Sequence, residues 1–153
     1  MKKFELTAEF VTNVFGKKLF RIKALVAFGN VEKGELGGFI EKEDNLSHDG
    51  NAWVYGNAQV YGNAWVYGDA QVSGDARVSG DADYAVVKGF GRCFRTTTFF
   101  RCKDKILRVQ CGCFYGDLAQ FREIVKKTHG DSKYAKEYLS IADLMELHFS
   151  DEY

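Results

Sequence analysis

Three histidines and four cysteines are the residues of this chain best suited to acid–base, nucleophilic or metal chemistry. A general base needs a pKa near neutrality and reach to the proton it removes, which suits histidine. His48 stands alone in the first half of the chain. It takes a slot that the following segments give to Val, so its ring is expected to turn inward. His129 and His148 fall on two amphipathic helical segments, where they read as a helix-end charge and an apolar-face residue. A zinc shared by three histidines across subunits needs outward rings, and the repeats supply none. Among Cys93, Cys102, Cys111 and Cys113, neither the CGC pair nor the longer gaps match the two-to-four-residue spacing of zinc knuckles. They are expected to pack as small hydrophobes. No catalytic residue, metal site or cofactor is therefore assigned from the sequence.

The element that must position everything else lies between Asn51 and Gly80. Five hexapeptides follow one another in register: NAWVYG, NAQVYG, NAWVYG, DAQVSG and DARVSG. Ala at the second position and Val at the fourth alternate with polar or aromatic residues, the period of a strand buried on one side. Gly followed by Asn or Asp supplies the conformational freedom and local hydrogen bonding of a sharp corner. Short strand and corner, repeated, wind into a solenoid. The register continues more weakly at Asn45–Gly50 (NLSHDG) and at 81–86 (DADYAV), where Tyr84 takes the Val slot. A solenoid of little more than two coils needs caps, subunit packing or both.

The hexapeptides resemble those of left-handed parallel β-helices, in which three units form one triangular coil. That likeness stacks residues eighteen apart: Val54 with Val72, Val60 with Val78, Ala52 with Ala70. The run Leu19–Ala58, with its FGNV and GELGGFIE turns, NLS step and GNAWVYGNA motif, is similar to the opening of YdcK-like proteins. These are an uncharacterised bacterial hexapeptide-repeat family labelled as transferases by fold analogy, which transfers no chemistry. Within hexapeptide proteins generally, the enzymatic alternative is an acyltransferase whose active sites lie between subunits. Here it would have to use His48.

Upstream, residues 3–13 and 18–27 read as two strands joined at Gly16–Lys17. Downstream, Arg95–Lys103 and Lys105–Phe114 read as a hairpin around Asp104. This pairing is expected to gather Phe100, Cys102, Leu107, Val109, Cys111 and Cys113 on one face. Asp117 reads as the N-cap of a helix bearing Leu118, Phe121, Ile124 and Val125, closed at Gly130; a second helix starts at Asp131 or Ser132. The fold class is mainly β with C-terminal α. A short left-handed β-helix (45–86) is preceded by a hairpin and lead-in coil (1–44) and capped by a β-β-α-α tail (87–153). The tail phrase CGCFYGDLAQFREIVKKTHGDSKYAKEYL is similar to small uncharacterised phage and prophage proteins.

The outward slots carry Trp53 and Tyr55, Gln59 and Tyr61, then Trp65 and Tyr67, while the next coil is polar. Trp53, Tyr55, Tyr61, Trp65 and Tyr67 thus form an aromatic belt, expected to be an oligomer or partner interface because such surface is seldom left uncovered. A second candidate is a face of Arg95, Phe99 and Arg101 joined by Arg108, suited to an acidic partner or nucleotide. With 21 basic and 21 acidic residues there is no net basic footprint, which argues against nucleic acid. No long apolar stretch indicates a membrane span, and neither a secretion signal nor disulfide-scaffold cysteine density is present, so a cytoplasmic location is expected. The resulting expectation is a non-enzymatic binding or scaffold protein, homo-oligomeric as a dimer or trimer. The tail's resemblance adds the specific version of a phage protein that binds a host protein in counter-defence.

Overall fold

A computed structural model describes residues 2–80 and 83–150. Asp81 and Ala82, which continue the repeat in sequence, lie outside the described residues. Two strands, β1 (Phe4–Thr12) and β2 (Lys18–Ala24), pair antiparallel, and β2 pairs antiparallel with β3 (Leu36–Ile40). From β3 onward the chain winds. The two-residue strands β4 (Trp53–Val54), β5 (Gln59–Val60), β6 (Gln71–Val72) and β7 (Arg77–Val78) pair in parallel with the strand one coil away. Val54 faces Val72 and Val60 faces Val78, the eighteen-residue stacking that the likeness to triangular β-helices implies. The lead-in coil is longer: Phe39 pairs with Gln59 and Leu46 with Val66, twenty residues apart.

Corners make this winding possible. Gly50, Gly56, Gly62, Gly68 and Gly74 all adopt positive φ, between 59° and 72°. At Gly50 a Cβ would also stand 2.6 Å from the Gly68 carbonyl oxygen of the next coil, so the stacked corners leave no room for a side chain. Between corners, Ala52, Val54, Ala58, Val60, Ala64, Val66, Ala70, Val72, Ala76 and Val78 are all buried. They form the interior, and burying this apolar surface is the main favourable contribution to the coil. Backbone hydrogen bonds between coils, such as Trp53 N–H to Ala70 O at 3.0 Å and Tyr61 N–H to Val78 O at 2.9 Å, satisfy the backbone of the short strands.

Each open end has its own cover. At the first coil, Lys3 donates from Nζ to the Ala52 carbonyl at 2.7 Å, and its backbone N–H donates to His48 Nδ1 at 3.0 Å. Phe4 stacks on the His48 ring at 4.3 Å. Arg21 of β2 donates to the carbonyls of Gly37 and Gly56, pinning the hairpin to the coil. At the last coil the cover is a four-stranded antiparallel sheet in the order β11-β10-β9-β8. Its strands are β8 (Tyr84–Phe90), β9 (Arg95–Arg101), β10 (Leu107–Cys111) and β11 (Phe114–Asp117). Gln71 N–H donates to Thr98 Oγ1, Ser73 to Gln110, and Ala76 bridges to Cys102.

The tail is therefore β-β-β-β-α-α, not β-β-α-α. Tyr84 does occupy the position eighteen after Val66, but it also begins β8, which leaves the coil to pair with β9. The fourth strand arises because Gly112–Cys113 makes a tight turn that sends Phe114–Asp117 back along β10. Helices α1 (Leu118–His129) and α2 (Lys133–His148) pack on the sheet face away from the coils. Phe99, Val109, Phe121, Val125, Tyr138, Ile141 and Met145 make this second core. Asp117 caps α1 as expected: its Oδ1 accepts from Gln120 N–H at 2.8 Å, and Gln120 Oε1 accepts from Asp117 N–H at 2.9 Å.

Candidate functional site: the open aromatic face

The five belt residues do not share one fate. Trp53 is fully buried, its ring edge-on to Phe4 at 6.4 Å and to Phe28 at 5.3 Å, with Gly37 alongside. The chain's own N-terminal elements cover it, so it offers nothing to a partner. Its indole N–H is buried without a hydrogen-bond partner among the described residues. Tyr55 and Tyr61 are half-buried. Burial, with the Glu35 carboxylate nearby, raises the pKa of the Tyr55 hydroxyl. Trp65 and Tyr67 remain 50% and 52% exposed, stacked on each other with centroids 4.5 Å apart and planes inclined by 24°.

Their exposure follows from the third side of the coil. There the Leu46–Val66 bridge is the ladder contact to the preceding coil among the described residues, so Tyr67 has Ser47 beside it on one side. On the other side Ala85 lines the groove beside it, with the Tyr84 ring edge-on to Tyr67 at 6.5 Å. Small neighbours leave grooves beside the two rings. One, of about 700 Å³, runs from Trp65 past Ser47 and His48 and is rimmed by Glu43, Asp44 and Asp49 with Lys2. The other, of about 510 Å³, lies between Trp65, Tyr67, Tyr84 and Val86, with Asp69 at its edge. Tyr84 closes its floor by donating to the Trp65 carbonyl at 2.5 Å. The sequence reasoning found the rings but missed the acidic rim. Glu43 and Asp44 belong to a 3-10 turn, Glu43–Asn45, that only the winding brings beside Trp65.

The basic face does not form. With the turn centred on Asp104, Arg101 pairs with Leu107, Phe100 with Arg108 and Phe99 with Val109. Opposite residues of an antiparallel pair point the same way, so Arg108 lies on the Phe100 face, away from Arg95, Phe99 and Arg101. The same register puts Phe100 on the other face of the sheet from Leu107, Val109 and Cys111, with Cys102 beyond the end of β9 and Cys113 exposed in the β10–β11 turn, correcting the apolar face drawn from the sequence. Phe99 is fully buried against Phe121, at 6.0 Å. Arg101 pairs with Asp83 and donates to the Phe149 carbonyl, and Arg108 is held by both oxygens of Asp104. The Arg108 guanidinium in turn holds the Asp104 carboxyl below its usual range. Only Arg95 stays exposed.

The histidines and Cys102 are engaged by the fold, whereas Cys93 and Cys113 are exposed rather than packed as small hydrophobes, because both fall in turns. His48 accepts from Lys3 at one ring nitrogen and meets Glu43 Oε1 at 3.0 Å with the other. His129 stacks on Tyr138 at 5.9 Å, and His148 sits edge-on to Phe149. All four cysteines are free thiols. Burial pushes up the pKa of the Cys102 thiol. Tyr138 donates to the Phe90 carbonyl at 3.2 Å, and burial beside Cys111 raises its hydroxyl to about 12. Among the described residues no group of three His, Cys, Asp or Glu side chains is placed to hold a metal. Likewise, no helix among them is long and apolar enough to cross a membrane.

A family model described as the YdcK β-solenoid repeat matches residues 58–71 and 70–82. Residues 58–82 are thus similar to YdcK-type β-solenoid repeats. The matched residues begin where the Leu19–Ala58 likeness ends, and they include Trp65, Tyr67 and the strands β5 to β7. No curated protein matches the sequence. The YdcK-type match stops before the tail.

Proposed function

We propose that this chain is a non-enzymatic binding protein that self-associates through the face around Trp65 and Tyr67. The observation that carries the reading is the pair of stacked, half-exposed rings, Trp65 and Tyr67, on the third side of the coil. Stacked aromatics held rigid by a ladder lose little conformational entropy on contact, and such residues dominate interface energetics. Their exposed halves offer on the order of 200 Å². A stable interface buries about 800 Å² on each partner, so the contact must extend into the two grooves. In this reading the coil is left-handed, as its resemblance to left-handed parallel β-helices implies. We further propose, from the tail's resemblance to small phage and prophage proteins, that the protein acts on a host protein in the cytoplasm.

Light scattering from micromolar to millimolar protein tests the reading. The wild-type chain should associate, and Trp65→Ala with Tyr67→Ala should weaken association by about thirtyfold or more, the effect of losing a hot spot. A wild-type chain that stays monomeric throughout would refute it.

A further inference from the structure

Resting on that reading, we infer that the counter-surface is the β8–β9 turn of a second copy: Arg92 to Arg95 of one molecule seats in the acidic groove beside Trp65 of the next. The turn is built for presentation. Its base is clamped, with Gly91 N–H donating to Glu137 Oε1 at 3.0 Å and Gly91 lying so close to Tyr138 that a Cβ would collide with the ring. Its tip is not packed. Phe94 holds φ at +52°, a left-handed conformation that bulky residues avoid, and its ring is 67% exposed. A disfavoured backbone that points an aromatic ring into water is a feature that contact with a partner would explain. Arg92 and Arg95 flank it, both exposed and without an ion pair among the described residues.

The groove is the complement. Glu43, Asp44 and Asp49 rim it; among its described lining residues Lys2 is the only Lys or Arg, and its ammonium is already 3.2 Å from Glu43, which also meets His48 Nε2. Asp44 and Asp49 are exposed. Trp65 forms an aromatic wall, the surface on which a guanidinium stacks best. One molecule cannot satisfy itself. The first residue of β8, Tyr84, is bonded to the Trp65 carbonyl, and Phe90 lies six residues further along the strand, about 20 Å away at the usual rise. The contact is therefore between copies and head-to-tail, closing into a ring or extending as a chain.

Sedimentation velocity on the full chain tests this, with circular dichroism confirming that each variant is folded. Arg92→Glu should raise the dissociation constant at least about tenfold, and Asp44→Arg with Asp49→Arg should do the same, because each places like charges together. Combining the reversals on both surfaces should restore association to within about threefold of wild type. If Arg92→Glu associates as well as wild type while the Trp65 and Tyr67 double variant does not, the turn is not the occupant and this inference is overturned, though the binding face stands. If the wild-type chain does not associate at all, both fall.

Discussion

The hexapeptide NAWVYG occurs twice, at Asn51–Gly56 and at Asn63–Gly68, and the two copies have opposite surroundings. In the first, Trp53 is enclosed by Phe4, Phe28 and Gly37; in the second, Trp65 is half in water. The backbone does the same thing in both places, with Val54 and Val66 buried and a glycine corner at positive φ after each. What differs is the cover. The first copy lies under the end of the solenoid that the N-terminal hairpin closes, and the second faces the side where β8 departs. A repeat thus dictates how the chain winds, while the non-repetitive elements decide which of its rings become core and which become surface.

Truncating each tryptophan in turn should break the pair apart most clearly. Trp53→Ala empties a fully packed site and should cost about 3–5 kcal/mol of stability. Trp65→Ala removes a half-exposed ring and should cost no more than about 1 kcal/mol, measured by urea unfolding at a concentration where the chain is monomeric. Equal losses would mean the two rings are in equivalent places. The corners sharpen the same contrast. Gly50→Ala combines a positive φ with a 2.6 Å approach to the Gly68 carbonyl, whereas at Gly68 itself no atom lies within 4 Å of a new Cβ. Both substitutions bear the conformational penalty of about 1 kcal/mol, and Gly50→Ala should exceed Gly68→Ala by a further 1–2 kcal/mol or so.

A smaller effect concerns the hairpin end alone. Burial lowers the pKa of Lys3 from 10.5 to about 8, against the opposing pull of Asp49. The folded state therefore binds fewer protons than the unfolded state between those values. Stability should rise with pH across that window, because the unfolded chain holds a proton that the native ammonium site has released. Several tyrosines and Cys102 shift in the opposite sense, so the comparison is wild type against Lys3→Met by thermal unfolding between pH 8 and 9.5. The wild type should gain on the variant as pH rises; parallel curves would show that Lys3 is not titrating there.

Much of the winding was legible because it depends on local, repeated chemistry. Val54 over Val72 and Val60 over Val78, the glycine corners, the turn at Asp104 and the Asp117 cap all follow from residues near each other in sequence. The burial of Trp53 was not legible, since its cover comes from Phe4 and Phe28, residues whose own pattern says nothing of where they dock. β8 was hidden because Tyr84 serves both as the next position of the third side and as the start of a new strand. The supposed basic face failed on parity. A turn centred on Asp104 pairs residues of like parity, so Arg108 cannot join Arg101, and the helices then claim Phe99 for their core. The groove beside Trp65 needed the coil itself, which brings Glu43 and Asp44 to a ring some twenty residues later.

Fluorescence quenching of single-tryptophan variants tests the central contrast most directly, since Trp53 and Trp65 are the only two indoles. With Trp65→Phe, the remaining Trp53 should resist acrylamide at every protein concentration. With Trp53→Phe, the remaining Trp65 should be quenched readily in dilute solution and become shielded as the protein associates. A Trp53 quenched as easily as Trp65, or a Trp65 whose quenching ignores protein concentration, would contradict the account.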